Sequence, residues 1–167
     1  SLQVTLVDTD NLIAERPQQI SIRVKNDEIP TVNVVLKGIG TAITPDARIP
    51  VVGQITDDHQ IDRAWFQLEM EGASTRKYSL RLAKQGKVEA ALDLRDQRSQ
   101  ADNKLAIEPG DKLVLSVKAL DKYNLAGAPH LGSGDHYEMK VVTADKLLAL
   151  LEAREYALRR RFEPLVE

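Results

Sequence analysis

The chain carries three histidines, His59, His130 and His136, the side chains best suited to proton transfer or metal ligation near neutral pH. No two stand at the i, i+4 spacing that places a metal pair on one helix face, and no His-Glu-x-x-His run occurs. They read as structural or exposed residues. No serine sits in the Gly-x-Ser-x-Gly elbow of a hydrolase. Gly127 and Gly132-Ser133-Gly134 lack the following Lys-Ser/Thr and helix that would make a phosphate cradle, so they read as loop glycines. The carboxylates offered for acid/base work are Asp57-Asp58, and adjacent side chains on an extended strand point apart. With no cysteine, a disulfide framework, a cysteine zinc site and a cysteine nucleophile are all excluded. These residues predict a protein that is not an enzyme and carries no cofactor.

Oxygen ligands are a different matter. Calcium takes six to eight of them, and acidic residues cluster at Asn26-Asp27-Glu28, at Asp57-Asp58 and at Asp121. In a β-sandwich of immunoglobulin type, the approach to the first strand, the turn after the second and the turn after the sixth lie at one pole. A calcium ion among Asp27, Asp57, Asp58 and Asp121 is therefore the one metal site the sequence offers. The competing reading is that Asp57 and Asp58 cap their turn by accepting backbone N–H bonds. Asn26-Asp27-Glu28-Ile29-Pro30 resembles the linker of cadherin repeats, Asn-Asp-Asn-x-Pro, with Glu28 in place of the second Asn and Val24 where that pattern has an upstream Asp.

The elements that must position these groups are mostly strands. Leu2, Val4 and Leu6 alternate with polar residues, as do Ile20, Ile22 and Val24, and a turn-rich stretch from Asp8 to Arg16 closed by Pro17 joins them into a hairpin. Alternation restarts at Thr31 to Leu36. It continues at Arg48 to Thr56, Asp62 to Glu71, Arg76 to Ala83, Val88 to Leu94, Lys112 to Asp121 and His136 to Thr143, with a loop between Asp96 and Asp111. Seven strands with turn signals between them predict an immunoglobulin-like antiparallel β-sandwich over residues 29–143.

An internal repeat supports that division. Leu2 to Leu12 aligns with Leu115 to Leu125, Asp8 falling on Asp121, and a second strand follows each copy. Residues 1–27 then read as the closing β-hairpin of a preceding repeat, which is marginal alone and must pack on the sandwich or on another copy. From Ala144 the period changes to three and four residues, and Thr143 or Asp145 offers the cap oxygen of an amphipathic α-helix over 144–167. Its apolar stripe is available to cover the hairpin, and it reads as the start of a longer helical region. Both chain ends look cut from a longer protein.

Of 167 residues, 43% are apolar and 29% charged, which favours a folded core over disorder, but aromatics are only 4%, so aliphatic residues must fill it. A formal charge of −2 offers no footprint for nucleic acid. No run approaches the roughly 18 apolar residues of a membrane span. Trp65 sits on the third strand of the sandwich, and Ala64, Phe66, Leu68 and Met70 give the cleaner inward face, which turns Trp65 outward. Arg159-Arg160-Arg161 suit the end of a helix, where cations meet the negative pole of its dipole.

Arg48 to Ala64, an alternating strand followed by Thr56-Asp57-Asp58, a short turn and an apolar residue entering the next strand, resembles bacterial immunoglobulin-like repeats. The order of an Asp-Thr-Asp hairpin, a Pro-linked sandwich and Leu147-Leu148-Ala149-Leu150-Leu151-Glu152-Ala153-Arg154-Glu155 is similar to large, membrane-anchored, uncharacterised proteins of planctomycete-type bacteria. The resemblance implies a non-catalytic structural or interaction module of an extracytoplasmic, envelope-associated protein. Its partners would be other proteins or neighbouring repeats, or a second copy through the hairpin or helix. The alternative is a carbohydrate- or ligand-binding sandwich using Trp65, Tyr78, Tyr123, Tyr137 and Tyr156.

Overall fold

The computed structural model describes residues 2–5, 7–13, 18–21, 23, 26–71, 75–99, 106–123 and 127–162. Ile22 and Val24 of the expected hairpin strand, Asn124-Leu125 at the end of the repeat, part of the polar stretch after Asp96 and the final Leu165-Val166-Glu167 lie outside the described residues.

The protein is mainly β, with antiparallel sheets and a C-terminal helix. A short hairpin, β1 (Leu2–Val4) against β2 (Gln18–Ile20), comes first. Then follow β3 (Thr31–Leu36), β4 (Ala42–Ile43), β5 (Arg48–Thr56), β6 (Ile61–Met70), β7 (Arg76–Leu80) and β8 (Lys87–Asp93). A short helix α1 (Leu94–Ser99), β9 (Lys112–Asp121), β10 (Leu131–Ser133), β11 (Tyr137–Val141) and helix α2 (Ala144–Phe162) complete the order.

One sheet has the order β3-β5-β8, and the other runs β4-β11-β9-β6-β7 with β10 also on β9. Their inward positions meet in a single core. Val34, Ile49, Val51, Ile55, Val88 and Leu92 come from the first sheet, and Phe66, Leu68, Leu113, Leu115, Val117 and Met139 from the second. Period-2 alternation is what makes this work, because every second residue of β5, β6 and β9 turns into the core. Tyr137 ties the sheets across that core, its hydroxyl donating to the Val34 carbonyl at 2.9 Å.

The expected strands appear at or within a few residues of their predicted bounds. The differences are local. Leu94 to Ser99 is helical, because Asp93 Oδ1 accepts the Arg95 and Asp96 amides at 3.0 and 3.3 Å and so caps a turn of helix. The two-residue β4 pairs parallel with β11, the expected last strand is β11, and Gly132-Ser133, expected in a loop, belong to the strand β10 because they pair with Ala119 and Lys118 of β9. Trp65 faces outward with Lys77 Nζ 5.3 Å from its ring centroid. Helix α2 departs from expectation in its surroundings. Its leucine stripe does not cover the hairpin, since every described side chain of α2 except the half-buried Leu147 is exposed.

Two features bring the linker before β3 against the far end of β9. Pro30 is buried at the foot of β3. Gly132 of β10 lies so close that a Cβ there would sit 2.1 Å from the Pro30 carbonyl oxygen. Only a residue without a side chain permits this approach, and it sets Asp27 beside the β9–β10 loop.

Candidate metal centre

Three loops converge at this pole. The β5–β6 turn is built by Asp57, whose Oδ2 accepts the His59 amide at 2.9 Å, and it closes through Gln60 at φ 101, a conformation rare outside glycine. The Gln60 carbonyl accepts the Lys122 amide at 2.9 Å, locking this turn to the end of β9. The β9–β10 loop is organised by Asp121, whose Oδ1 accepts the amides of Tyr123 at 3.1 Å and His130 at 2.9 Å. The linker contributes Asp27, and the Glu28 amide reaches Asp58 Oδ1 at 3.4 Å.

At the centre, the carboxylate of Asp27 lies between two imidazoles. Its Oδ2 is 2.6 Å from His130 Nδ1, and its Oδ1 is 2.5 Å from His59 Nδ1. His130 Nδ1 also lies 3.1 Å from Asp121 Oδ2. Asp58 Oδ1 stands 3.4 Å from His59 Nδ1. The Asp27 and Asp121 side chains are 4% and 0% exposed, whereas the imidazoles of His130 and His59 are 35% and 41% exposed. Tyr123 stacks on the His130 ring at 5.1 Å between centroids, which fixes the ring plane.

The electrostatics follow from these contacts. The hydrogen bond to Asp27 raises the His130 pKa above its ordinary value. Loss of solvent opposes the rise, and the nearby Asp121 and Asp27 charges add to it. Burial by itself pushes the Asp121 carboxyl up. The amides of Tyr123 and His130 and the His130 ring together outweigh it and hold the group below its usual range.

Asp27, Asp58 and Asp121 of the expected calcium set share the pole with His59 and His130. They form two overlapping groups, Asp27-Asp121-His130 and Asp27-Asp58-His59. Asp57 belongs to neither. Its Oδ2 serves the turn, and its Oδ1 is buried without a hydrogen-bond partner. The spacing of the two histidines carries no ligand signal, although His59 directly follows the acidic pair and His130 closes the loop that Asp121 opens. A donor set containing imidazole nitrogen is unlike the all-oxygen shell of calcium.

The sequence repeat has a structural counterpart. Asp8, which aligns with Asp121, also turns its Oδ1 onto the amide two residues on, Asp10, at 2.9 Å, and accepts Leu12 at the same distance. Away from the pole, a groove of about 670 Å³ opens at the other ends of β6 and β9, lined by apolar Met70, Leu113 and Met139 and by Glu69, Glu71 and Glu138. Comparison with protein-family models, curated proteins and solved structures finds no match to this chain.

Proposed function

We propose that the chain is a non-catalytic module of an extracytoplasmic, envelope-associated bacterial protein, in which an immunoglobulin-type sandwich is clasped to the segment preceding it. The strand orders β3-β5-β8 and β4-β11-β9-β6-β7, with the core shared between the two sheets, support the immunoglobulin-type reading. The observation that carries the clasp is Asp27. A linker carboxylate is buried at 4% exposure against His59 and His130, which belong to two different loops of the sandwich. A flexible tether has no use for such a contact, because burying a charge costs free energy that only specific partners restore. The junction is thereby stiffened, and the module sets the direction in which its neighbours leave. Its partners are other proteins or neighbouring repeats.

The aromatic residues favour this reading over carbohydrate binding. Trp65 lies half-buried beside Lys77, Tyr78 packs against the core, Tyr123 stacks on His130, Tyr137 bonds Val34 and Tyr156 stands on the helix. Among the described residues they form no shared platform for a sugar.

The test is Asp27→Ala, followed by limited proteolysis of the linker and by the melting temperature. Cleavage within residues 26–29 is expected to accelerate at least about tenfold, for loss of a contact worth ~1.4 kcal/mol or more, while the sandwich still melts cooperatively. Unchanged cleavage would remove the basis for the clasp.

A further inference from the structure

We propose that Asp27 Oδ2, Asp121 Oδ2 and His130 Nδ1 form a site for a divalent first-row transition ion of the zinc class, with Asp27 bridging it to His59 and Asp58. The proposal rests on reading the pole as a joint and names what fastens it.

Hydrogen bonds account for only part of this geometry. His130 Nδ1 faces two buried carboxylates, at 2.6 and 3.1 Å, yet an imidazole nitrogen carries at most one proton and can align it with one of them. Asp27 Oδ1 is buried and lacks a hydrogen-bond partner, although His59 Nδ1 lies 2.5 Å away. With at most one proton between His130 Nδ1 and two carboxylates, and Asp27 Oδ1 unpartnered, the pole gathers more lone pairs than protons, an excess that a bound cation balances. The Asp27 carboxylate is 4% exposed, so water is a poor substitute.

The orienting groups are those of a metal site. Asp121 Oδ1 is held by two backbone amides, which leaves Oδ2 for the ion. Tyr123 stacked on His130 fixes the ring that supplies the nitrogen. Imidazole selects zinc-class ions over calcium and magnesium, which take oxygen. Much of the oxygen needed for calcium is already committed, since Asp121 Oδ1 and Asp57 Oδ2 serve backbone amides. Ligands from the linker and from the β9–β10 loop would make the ion a cross-link between residue 27 and the sandwich.

The experiment uses the full chain, stripped with chelator and titrated with Zn²⁺ or Co²⁺. Zn²⁺ at about a hundredfold excess over its Kd is expected to raise Tm by roughly 5–10 °C, and Co²⁺ to give ligand-field absorption that saturates stoichiometrically. His130→Asn and Asp27→Asn should each lose both signals, and His136→Asn, at a histidine outside the pole, should keep them. Circular dichroism identifies any variant that fails to fold, and His130→Asn, at a side chain 35% exposed, keeps the test decisive if Asp27→Asn does not fold. Absence of a zinc response, a response that survives His130→Asn, or a larger response to millimolar Ca²⁺ than to Zn²⁺ overturns the assignment. Hydrogen exchange of residues 26–29 in the stripped protein separates the two ideas. Protection without metal binding leaves the joint standing and removes the ion, whereas metal binding with residues 26–29 unprotected in both the stripped and the loaded protein keeps the ion and removes the joint.

Discussion

A carboxylate taken fully out of water persists only where donors replace the water it has lost, and Asp121 has two backbone amides and the His130 ring. The same economy governs Tyr137, which is half-buried and donates across the core to Val34. Burial raises the Tyr137 pKa, and the charge of Asp135 adds to the rise. Because the folded-state pKa stands above the unfolded value, this contribution to stability is complete below the unfolded pKa of about 10 and is lost as pH rises through the folded value. Tyr137→Phe is expected to cost about 1 kcal/mol in urea denaturation at pH 7 and to flatten the fall of stability above pH 10. An unchanged alkaline limb would show that the phenol is not the group responsible. At this scale the acidic half of the pole was legible, since Asp27, Asp57, Asp58 and Asp121 fall at turns that one topology gathers together. The histidines were not, because His130 meets Asp27 from 103 positions away, and nothing in a local pattern reports so distant a contact.

Elements with a strong period were equally legible. Strands β3, β5 and β9 lie where alternation placed them, and α2 begins at Ala144 with the Thr143 hydroxyl accepting the Lys146 amide at 3.3 Å. Propensity, the cap and the Glu155–Arg159 pair at i, i+4 are all written in neighbouring residues. Elements whose existence depends on a partner were not legible. The two residues of β4 pair only because β11 lies beside them, and β10 separates from β11 where Gly134 and the following residues interrupt the ladder. The helix teaches the converse lesson. Its apolar stripe suggested packing, yet Leu148, Leu151 and Leu158 are exposed. A chain ended after Asp145 should therefore melt within about 2 °C of the full chain, since little buried area is lost. A drop of about 8 °C or more in differential scanning calorimetry would mean that α2 supports the core.

Across the whole molecule, stability should follow the depth of pairing. Strands β6 and β9 each have neighbours on both sides and supply Phe66, Leu68, Leu115 and Val117 to the core, whereas among the described residues β1 and β2 pair only with each other. Native-state hydrogen exchange is expected to be slowest in β6 and β9 and to approach unprotected rates in the hairpin, a two-stranded unit too small to hold itself. Protection of the hairpin equal to that of β9 would show that it belongs to the same cooperative unit. The sequence by itself determined that the chain is mainly β, where most strands run, that a helix follows, and that acidic residues stand in the linker before β3 and at the ends of β5 and β9. Those properties arise from period, turn chemistry and capping, which act over a few residues. Only the tertiary structure decided that Asp27 lies between His59 and His130. That placement depends on strand order, on the close approach Gly132 allows to Pro30, and on the β5–β6 turn locked to the end of β9, all of them contacts between residues far apart in the chain.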